Sequence, residues 1–344
     1  MAMDPVEALQ EIAFWLEREL AETYRVRAFR TAAGVLAGME PDEIAARARD
    51  GRLRRVKGIG DRTFAVVREA VDGGVPAYLA ELRERSAEPL AETESGEGLH
   101  ALLLGDLHSH TDASDGGSPL DEMARAARWL GRSYQAVTDH SPSLTIAHGL
   151  DAERLARQLD QVALANESFE DGFRLLAGIE VDILEDGSLD QTPEMLGRLD
   201  VVVASVHSKL RSESGPMTRR MLAAIDDEHT DVLGHCTGRL VKGSRGTRPE
   251  SQFDADRVFA ACAANGVAVE INSRPERQDP PDRLIQKALD ADCLFSIDTD
   301  AHAPGQLDFL HYGAARAEAN GVPAERIVTT WPVEKLLAWT GRRR

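Results

Sequence analysis

The sequence predicts an α/β protein, with parallel strands closed into a barrel behind a small all-α domain. Three observations carry this expectation. Residues 1–85 show apolar side chains at helical spacing, and residues 99–344 alternate short apolar runs with helical stretches. Nearly every one of those runs is followed at once by a residue able to ionise or to coordinate a metal. Between the two regions, residues 86–98 turn polar and acidic around Pro89, Gly96 and Gly98, the composition of a linker.

In the front region Val6, Leu9, Ile12, Ala13, Leu16 and Leu20 recur at three and four, one stripe of a helix. A second helix is expected over 42–48, ending near Asp50-Gly51, and two more over 63–71 and 77–82, separated by Asp72-Gly73-Gly74. Beyond the linker, strands are expected at 101–104, 134–137, 173–178, 201–205, 231–233, 267–271 and 294–297. Helices are expected at 120–130, 152–166, 255–265 and 281–290. Strand followed by helix, repeated, means parallel strands joined by crossovers. Seven such units suit a closed, TIM-like barrel, with an open doubly wound sheet as the alternative. No G-x-G-x-x-G follows the early strands, so a dinucleotide site has no support.

With 42% hydrophobic and 28% charged residues, the composition is that of a globular protein. The acidic start, from Asp4 and Glu7 onward, does not read as a signal peptide, and no apolar run reaches the ~18 residues that span a bilayer. A cytoplasmic location without membrane contact is therefore expected. Cys236, Cys262 and Cys293 form no close pair, which argues against a disulfide framework. The net charge of -18 disfavours a polyanionic partner, yet residues 1–85 hold 14 Lys plus Arg against 15 Asp plus Glu. The excess negative charge thus lies beyond residue 85, and a local basic surface in front remains open.

The residues after the strands carry the chemistry. The first strand runs into Gly105-Asp106-Leu107-His108-Ser109-His110 and on to Asp115, and the second into Thr138-Asp139-His140. The third ends in Gly178-Ile179-Glu180-Val181-Asp182, the fourth in Val206-His207-Ser208-Lys209, and the fifth in Gly234-His235-Cys236-Thr237-Gly238-Arg239. The sixth ends in Glu270-Ile271-Asn272-Ser273-Arg274 and the seventh in Asp298-Thr299-Asp300-Ala301-His302. In a parallel barrel all these ends open onto one face. His108 and His110, like Asp300 and His302, are two apart on extended chain and can point the same way.

Nine ligands are nominated on this basis: His108, His110, Asp115, His140, Glu180, His207, His235, Asp300 and His302. Nine exceeds what one zinc takes and suits two or three divalent ions, zinc or manganese, with iron also compatible with imidazole and carboxylate ligation. Glu180 or Asp300 can bridge, since a carboxylate has two acceptor oxygens. Such a centre suits phosphate-ester hydrolysis: one ion acidifies a bound water to a hydroxide nucleophile while a neighbour neutralises phosphate oxygens. Lys209, Arg239 and Arg274 follow ligand-bearing strand ends and are nominated as phosphate clamps. Asp106, Asp139 and Asp298 suit orienting ligand imidazoles or taking up a proton, with Asp106 and Asp139 nominated as catalytic. His148, in the loop after the second strand, is a candidate substrate contact, whereas His100, His229 and His311 read as structural.

Taken in order across about 200 residues, these motifs resemble those of the PHP (polymerase and histidinol phosphatase) family. The resemblance implies a distorted seven-stranded barrel and a trinuclear centre. It assigns His108, His110, Glu180 and Asp300 to one ion, Glu180, His207 and His235 to a second, and Asp115, His140 and His302 to a third. The stretches Gly234-His235-Cys236-Thr237-Gly238-Arg239-Leu240 and Glu270-Ile271-Asn272-Ser273-Arg274-Pro275 are particularly similar to the PHP module of bacterial family X DNA polymerases. That module commonly has proline where this chain has Cys236.

In the front region, Arg55-Val56-Lys57-Gly58-Ile59-Gly60-Asp61-Arg62 places a G-x-G between two expected helices, and residues 47–68 hold eight basic side chains against two acidic ones. Together with the stretch from Glu22 to Ala33, this resembles the helix-hairpin-helix domain of family X polymerases. Arg54, Arg55, Lys57, Gly58, Gly60 and Arg62 are accordingly nominated as DNA contacts, the glycines through backbone N–H groups. The 86–98 linker leaves no room for the polymerase palm and fingers, so polymerase activity is not expected. Val66 stands where relatives carry a Schiff-base lysine, and an always-protonated arginine cannot replace that amine, so lyase chemistry is not expected either. The sequence thus points to a metal-dependent enzyme on DNA ends or gaps, a 3′–5′ exonuclease or 3′-phosphatase. A small-molecule phosphomonoesterase of the histidinol-phosphatase kind and a non-catalytic DNA-binding or scaffold protein are the alternatives.

Overall fold

A computed structural model describes residues 3–86, 90, 96–243 and 246–343. Most of the linker expected at 86–98 lies outside the described residues. The chain divides into two compact units, residues 1–90 with 304–306, and residues 91–303 with 307–344.

The first unit is helical: α1 (Pro5–Arg18), α2 (Thr23–Ala37), α3 (Pro41–Arg49), α4 (Asp61–Val71) and α5 (Ala77–Arg85). The Asp4 side chain caps α1 by accepting from the Val6 and Glu7 N–H groups, and Pro5 supplies a φ suited to the first turn. Most of the stripe read from the sequence faces inward, with Leu9, Ile12, Ala13 and Leu16 fully buried against Phe29, Leu36, Phe64 and Leu82, whereas Leu20 lies past the end of α1 and is exposed. Helix α2 is not among the helices expected from the sequence. Its stripe is narrow, Phe29, Ala32, Ala33 and Leu36, and is interrupted by Arg25, Arg27 and Arg30. Between α3 and α4 a short 3-10 turn, Arg52–Arg55, leads into Gly58, whose φ of 96° strains any other residue and where a Cβ would crowd the Thr31 and Val35 methyls at 3.1 Å.

The second unit is a seven-stranded, all-parallel barrel in sequential order: β1 (Gly105–Asp106), β2 (Tyr134–Val137), β3 (Arg174–Asp182), β4 (Val201–Ser205), β5 (Val232–Leu233), β6 (Ala268–Asn272) and β7 (Leu294–Asp298). A bridge between Ser109 and Ala301 joins the ends beyond β1 and β7, which nearly closes it. The helices α7 (Leu120–Trp129), α8 (Ala152–Glu167), α10 (Ser214–Asp226), α11 (Ala255–Asn265) and α12 (Asp282–Asp290) connect successive strands, preceded by a single turn α6 (Glu97–His100) and with another, α9 (Pro193–Leu196), before β4. Two helices, α13 (Leu310–Ala319) and α14 (Val333–Thr340), follow β7. One strand expectation is corrected. Residues 101–104 form a turn and β1 begins at Gly105, because Leu99 and Leu103 are buried in the core beside the barrel wall. Strand β3 runs on to Asp182, four residues past the expected end, and so carries Glu180 inside the sheet. The barrel is tight at this end: a Cβ on Gly178 would meet Thr138 Cγ2 at 2.8 Å and Val201 O at 2.9 Å. No helix among the described residues is long and apolar enough to cross a membrane.

Candidate metal centre

Local hydrogen bonds fix each ligand-bearing strand end. After β1, Asp298 accepts from Leu107 N at 2.8 Å and His110 N donates to Ala301 O at 2.8 Å, holding the chain extended so that His108 and His110 both enter the barrel mouth. Their rings lie 5.2 Å apart and are completely buried. His140 and Glu180 are joined by a parallel bridge, since β3 continues alongside the chain leaving β2. His207 and His235 follow β4 and β5, with ring centres 5.2 Å apart.

Glu180 sits at the middle of these side chains. Its Oε2 lies 3.3 Å from His108 Nε2, 3.6 Å from His110 Nε2 and 2.9 Å from His140 Nδ1. Its Oε1 lies 3.2 Å from His207 Nε2 and 2.9 Å from His235 Nε2. At the outer edge Asp115 Oδ1 is 3.5 Å from His140 Nε2 and 3.4 Å from His302 Nε2, and Asp300 Oδ1 is 3.4 Å from His110 Nε2. All nine nominated ligands are thereby brought into four overlapping groups: His110, Asp115, His140 and His302; His108, Glu180 and His235; His108, His110 and Asp300; and His140, Glu180 and His207.

The donor set fits divalent ions on a direct observation. Both Glu180 oxygens, His108 Nε2, both ring nitrogens of His110 and of His235, and His140 Nδ1 are buried without a hydrogen-bond partner. Buried polar atoms of this kind are costly in a folded protein, and a bound ion is one way to satisfy them. Their spacing agrees, because two ligands ~2.1 Å from a shared ion at a tetrahedral angle lie about 3.4 Å apart. Glu180 is the member with an oxygen for each side and is suited to bridge. Asp300, the other bridging candidate from the sequence, has Oδ2 engaged by Arg277 Nε at 2.9 Å, which leaves a single oxygen facing the imidazoles.

Two carboxylates set the imidazole tautomers, and sequence reasoning gave neither this role. Glu270 Oε1 accepts from His108 Nδ1 at 2.6 Å, and Asp182 Oδ1 accepts from His207 Nδ1, so each ring in its neutral form would present the Nε2 lone pair to the centre. The signal was present as alternation: Glu180 and Asp182, like Glu270 and Asn272, are two apart on their strands. Burial and the neighbouring His302 and His140 depress the His110 imidazole to about 3, which favours its neutral, ligating form. Burial opposes charge on His207, but Glu180 and Asp182 override it and raise that imidazole to about 10. Burial likewise pushes Glu180 upward, yet His207, His108 and His140 hold its carboxyl well below the ordinary range.

The other nominated residues are placed differently. Asp106 and Asp139 are fully buried but meet no ligand imidazole. Asp106 accepts from His108 N, Thr299 N and Thr299 Oγ1, and Asp139 from Thr111 N, Thr111 Oγ1, Ser114 Oγ and Gln158 Nε2. With both oxygens of each engaged, these aspartates lace the loops together rather than orient rings. Arg239 donates to Gln278 O at 2.8 Å, and Arg274 Nη1 to Asp300 O at 2.9 Å, so both guanidiniums are tied to backbone carbonyls. Lys209 stands on the rim, 63% exposed, with Glu185 Oε1 3.9 Å from its ammonium. His148 is exposed in the loop after β2. His100 lies beside Arg132, His229 beside Asp227, and His311 beside Asp308 O, all apart from the nine. Cys236 is buried, with burial pushing its thiol well above the ordinary range, and is absent from the ligand groups. Arg277, which no sequence motif singled out, is buried against Asp300.

In the helical unit Arg54, Arg55, Lys57, Gly58, Gly60 and Arg62 are all exposed. The Arg54 guanidinium lies 4.5 Å from the Phe64 ring centre and that of Arg62 4.9 Å from Tyr78, which holds both over the α4–α5 surface. The Gly60 N–H donates to Thr63 Oγ1 at 2.9 Å, so this amide serves the start of α4 instead of standing open. An open groove lined by Thr23, Tyr24, Arg27, Ala28 and Thr31 reaches Gly58.

Comparison with known proteins matches a helix-hairpin-helix domain to residues 3–76 and a PHP domain to residues 106–274. The chain is 33% identical over 270 residues to the DNA polymerase/3′-5′ exonuclease PolX of Bacillus subtilis (strain 168), covering 78% of this chain and 46% of that protein. It therefore spans less than half the length of that relative. A probable phosphatase of Thermoanaerobacter sp. (strain X514) is 28% identical over 211 residues, covering 58% of this chain and 79% of that protein. Among solved structures, histidinol phosphate phosphatase of Lactococcus lactis, complexed with zinc, L-histidinol and phosphate, aligns with a TM-score of 0.47 and 16% identity over 63% of this chain and 93% of that one.

Proposed function

We propose that this chain, which belongs to the PHP family and carries a helix-hairpin-helix domain in front, is a metal-dependent phosphoester hydrolase acting on DNA ends, as a 3′–5′ exonuclease or 3′-phosphatase. In this reading residues 1–85 bind DNA and residues 99–344 carry out the hydrolysis. The observation that carries the hydrolase reading is the buried carboxylate of Glu180, ringed by five imidazoles whose nitrogens lie 2.9 to 3.6 Å from its oxygens. The nine nominated side chains would hold two or three divalent ions, zinc or manganese. When bound, such ions supply Lewis acidity that acidifies water and neutralises a phosphate.

The chain's own residues do the rest. Glu270 and Asp182 keep His108 and His207 oriented, and the tight strand ends hold the ligand atoms within one small volume. Lys209, exposed on the chain leaving β4, would supply a mobile point charge to a phosphate oxygen. Support for DNA over a small phosphomonoester comes from the helix-hairpin-helix match, the similarity to the Bacillus PolX, and the exposed cations from Arg54 to Arg62.

The test is manganese- or zinc-reconstituted protein offered matched DNA 3′-hydroxyl, DNA 3′-phosphate and histidinol phosphate substrates. Release of nucleotides or phosphate from DNA, abolished by His108→Ala, is expected. Rapid turnover of histidinol phosphate with no action on any DNA end would sink the DNA reading. Inactivity on all three would sink the hydrolase reading as well.

A further inference from the structure

Asp300 is gripped from one short segment on three sides. Its φ is 52°, a left-handed conformation that non-glycine residues seldom adopt without local support. Its Oδ2 accepts from Arg277 Nε at 2.9 Å and Asn272 Nδ2 at 3.3 Å, and its carbonyl accepts from Arg274 Nη1 at 2.9 Å. Asn272, Arg274 and Arg277 all belong to the end of β6 and the loop after it. Only Oδ1 is left toward the imidazoles, 3.4 Å from His110 Nε2 and 3.6 Å from His302 Nδ1.

We propose that Arg277 is a positioning residue for the metal centre: by holding Oδ2 it restricts Asp300 to one-oxygen ligation and leaves Glu180 as the bridge. The proposal rests on the metal-binding reading above, but not on the substrate. An arginine suits the task because its planar fork fixes direction as well as charge, and it stays protonated when buried. A lysine would bring the charge without the fixed plane. Were Oδ2 released, Asp300 could rotate or offer both oxygens to one ion, and the separation of roles between the two carboxylates would be lost. Partners that orient metal ligands typically contribute 10–100-fold, as an order of magnitude, to affinity.

The experiment uses the full chain loaded with Co²⁺, comparing wild type with Arg277→Met, Arg277→Lys, Asp300→Asn and the Arg277→Met/Asp300→Asn pair. Dialysis with elemental analysis reads stoichiometry, chelator competition reads affinity, and visible absorption reads coordination. Arg277→Met is expected to lose about tenfold or more in affinity for one ion with an altered Co²⁺ spectrum, and Arg277→Lys to fall between it and wild type. The double variant is expected to bind no more weakly than Asp300→Asn alone, since the arginine acts through that carboxylate. Wild-type affinity and spectrum in Arg277→Met, or a loss that adds in full to that of Asp300→Asn, would overturn the proposal. Should Arg277→Met fail to fold, Arg277→Lys and Asn272→Ala carry the comparison, and unshifted spectra in both overturn it. Wild-type protein that takes up no Co²⁺ overturns the metal reading itself, and this proposal with it.

Discussion

The two units handle charge in opposite ways. In the helical unit acidic and basic side chains meet at or near the surface, as in Arg83 with Glu11, Arg85 with Glu19 and the more sheltered Arg30 with Glu17, while the interior is predominantly apolar. In the barrel, carboxylates and imidazoles are drawn inward at the strand ends, and many of their atoms are left without partners. Exposed pairs contribute little to stability and leave a surface free to evolve toward a partner. Buried, unpartnered groups are held against their cost by the surrounding fold, and that cost is justified only by what they bind. The contrast separates a surface of paired charge from an interior where ligand-type groups cluster.

The largest expected effect breaks this contrast at its centre. Glu180→Gln removes the shared anion, and a loss of phosphoesterase activity on the order of a thousandfold is expected, along with reduced metal stoichiometry by elemental analysis. DNA affinity of the helical unit should be unchanged in the same protein. Next, Glu270→Gln or Asp182→Asn should weaken metal binding about 10–100-fold, read by chelator competition, because His108 and His207 lose the acceptors that fix their tautomers. Retained affinity in both would mean that the rings are oriented by packing alone.

A pH measurement sharpens the comparison. The metal-free His207 imidazole, raised to about 10, holds its proton at neutral pH, whereas ligation needs the neutral ring. Adding Zn²⁺ to metal-free protein in weak buffer at neutral pH should therefore release protons, and His207→Ala should release fewer. Smaller is the effect expected in the helical unit, where Lys57→Ala or Arg54→Ala should weaken DNA binding and reduce the salt slope by about one, with metal content unaltered. An unchanged slope in both would remove the hairpin from the DNA interface.

The smallest effect concerns His100, outside the centre, which burial and the nearby Arg132 and His311 depress to about 4. Its folded value lies below its ordinary one, so the stability it contributes is complete above the ordinary imidazole range and is lost as pH falls from there through about 4. Melting curves of His100→Asn against wild type should converge on acidification. Parallel curves across that window would assign the acid sensitivity to other groups.

Much of the barrel was legible because alternation of strand and helix is written in local periodicity, and ligands at strand ends stand out against apolar runs. The displaced β1 was not, since Leu102 to Leu104 is as apolar as a strand and only tertiary packing of Leu99 and Leu103 decides otherwise. Among the site residues, Asp182 lay two positions from Glu180 and Glu270 opened the sixth strand end, but which acid faces which ring depends on register between strands. Arg274 and Arg277 are three apart in one loop, and no local pattern tells which guanidinium reaches Oδ2 of Asp300 and which its carbonyl. In the front region, the exposure of the hairpin cations follows from the helical stripe, whereas the capture of the Gly60 amide by Thr63 needed coordinates.

One geometric detail bears on how such a centre fills and empties. Asp115 and His302 are 35% and 25% exposed, while the His108 and His110 side chains are wholly enclosed. Water reaches Asp115 and His302 most freely and His207 less, at 15% exposure, so an ion nearest Asp115 would exchange most readily. A chelator would then draw metal out in separate kinetic phases, with the outer position as the one a cell's changing metal supply rewrites most readily.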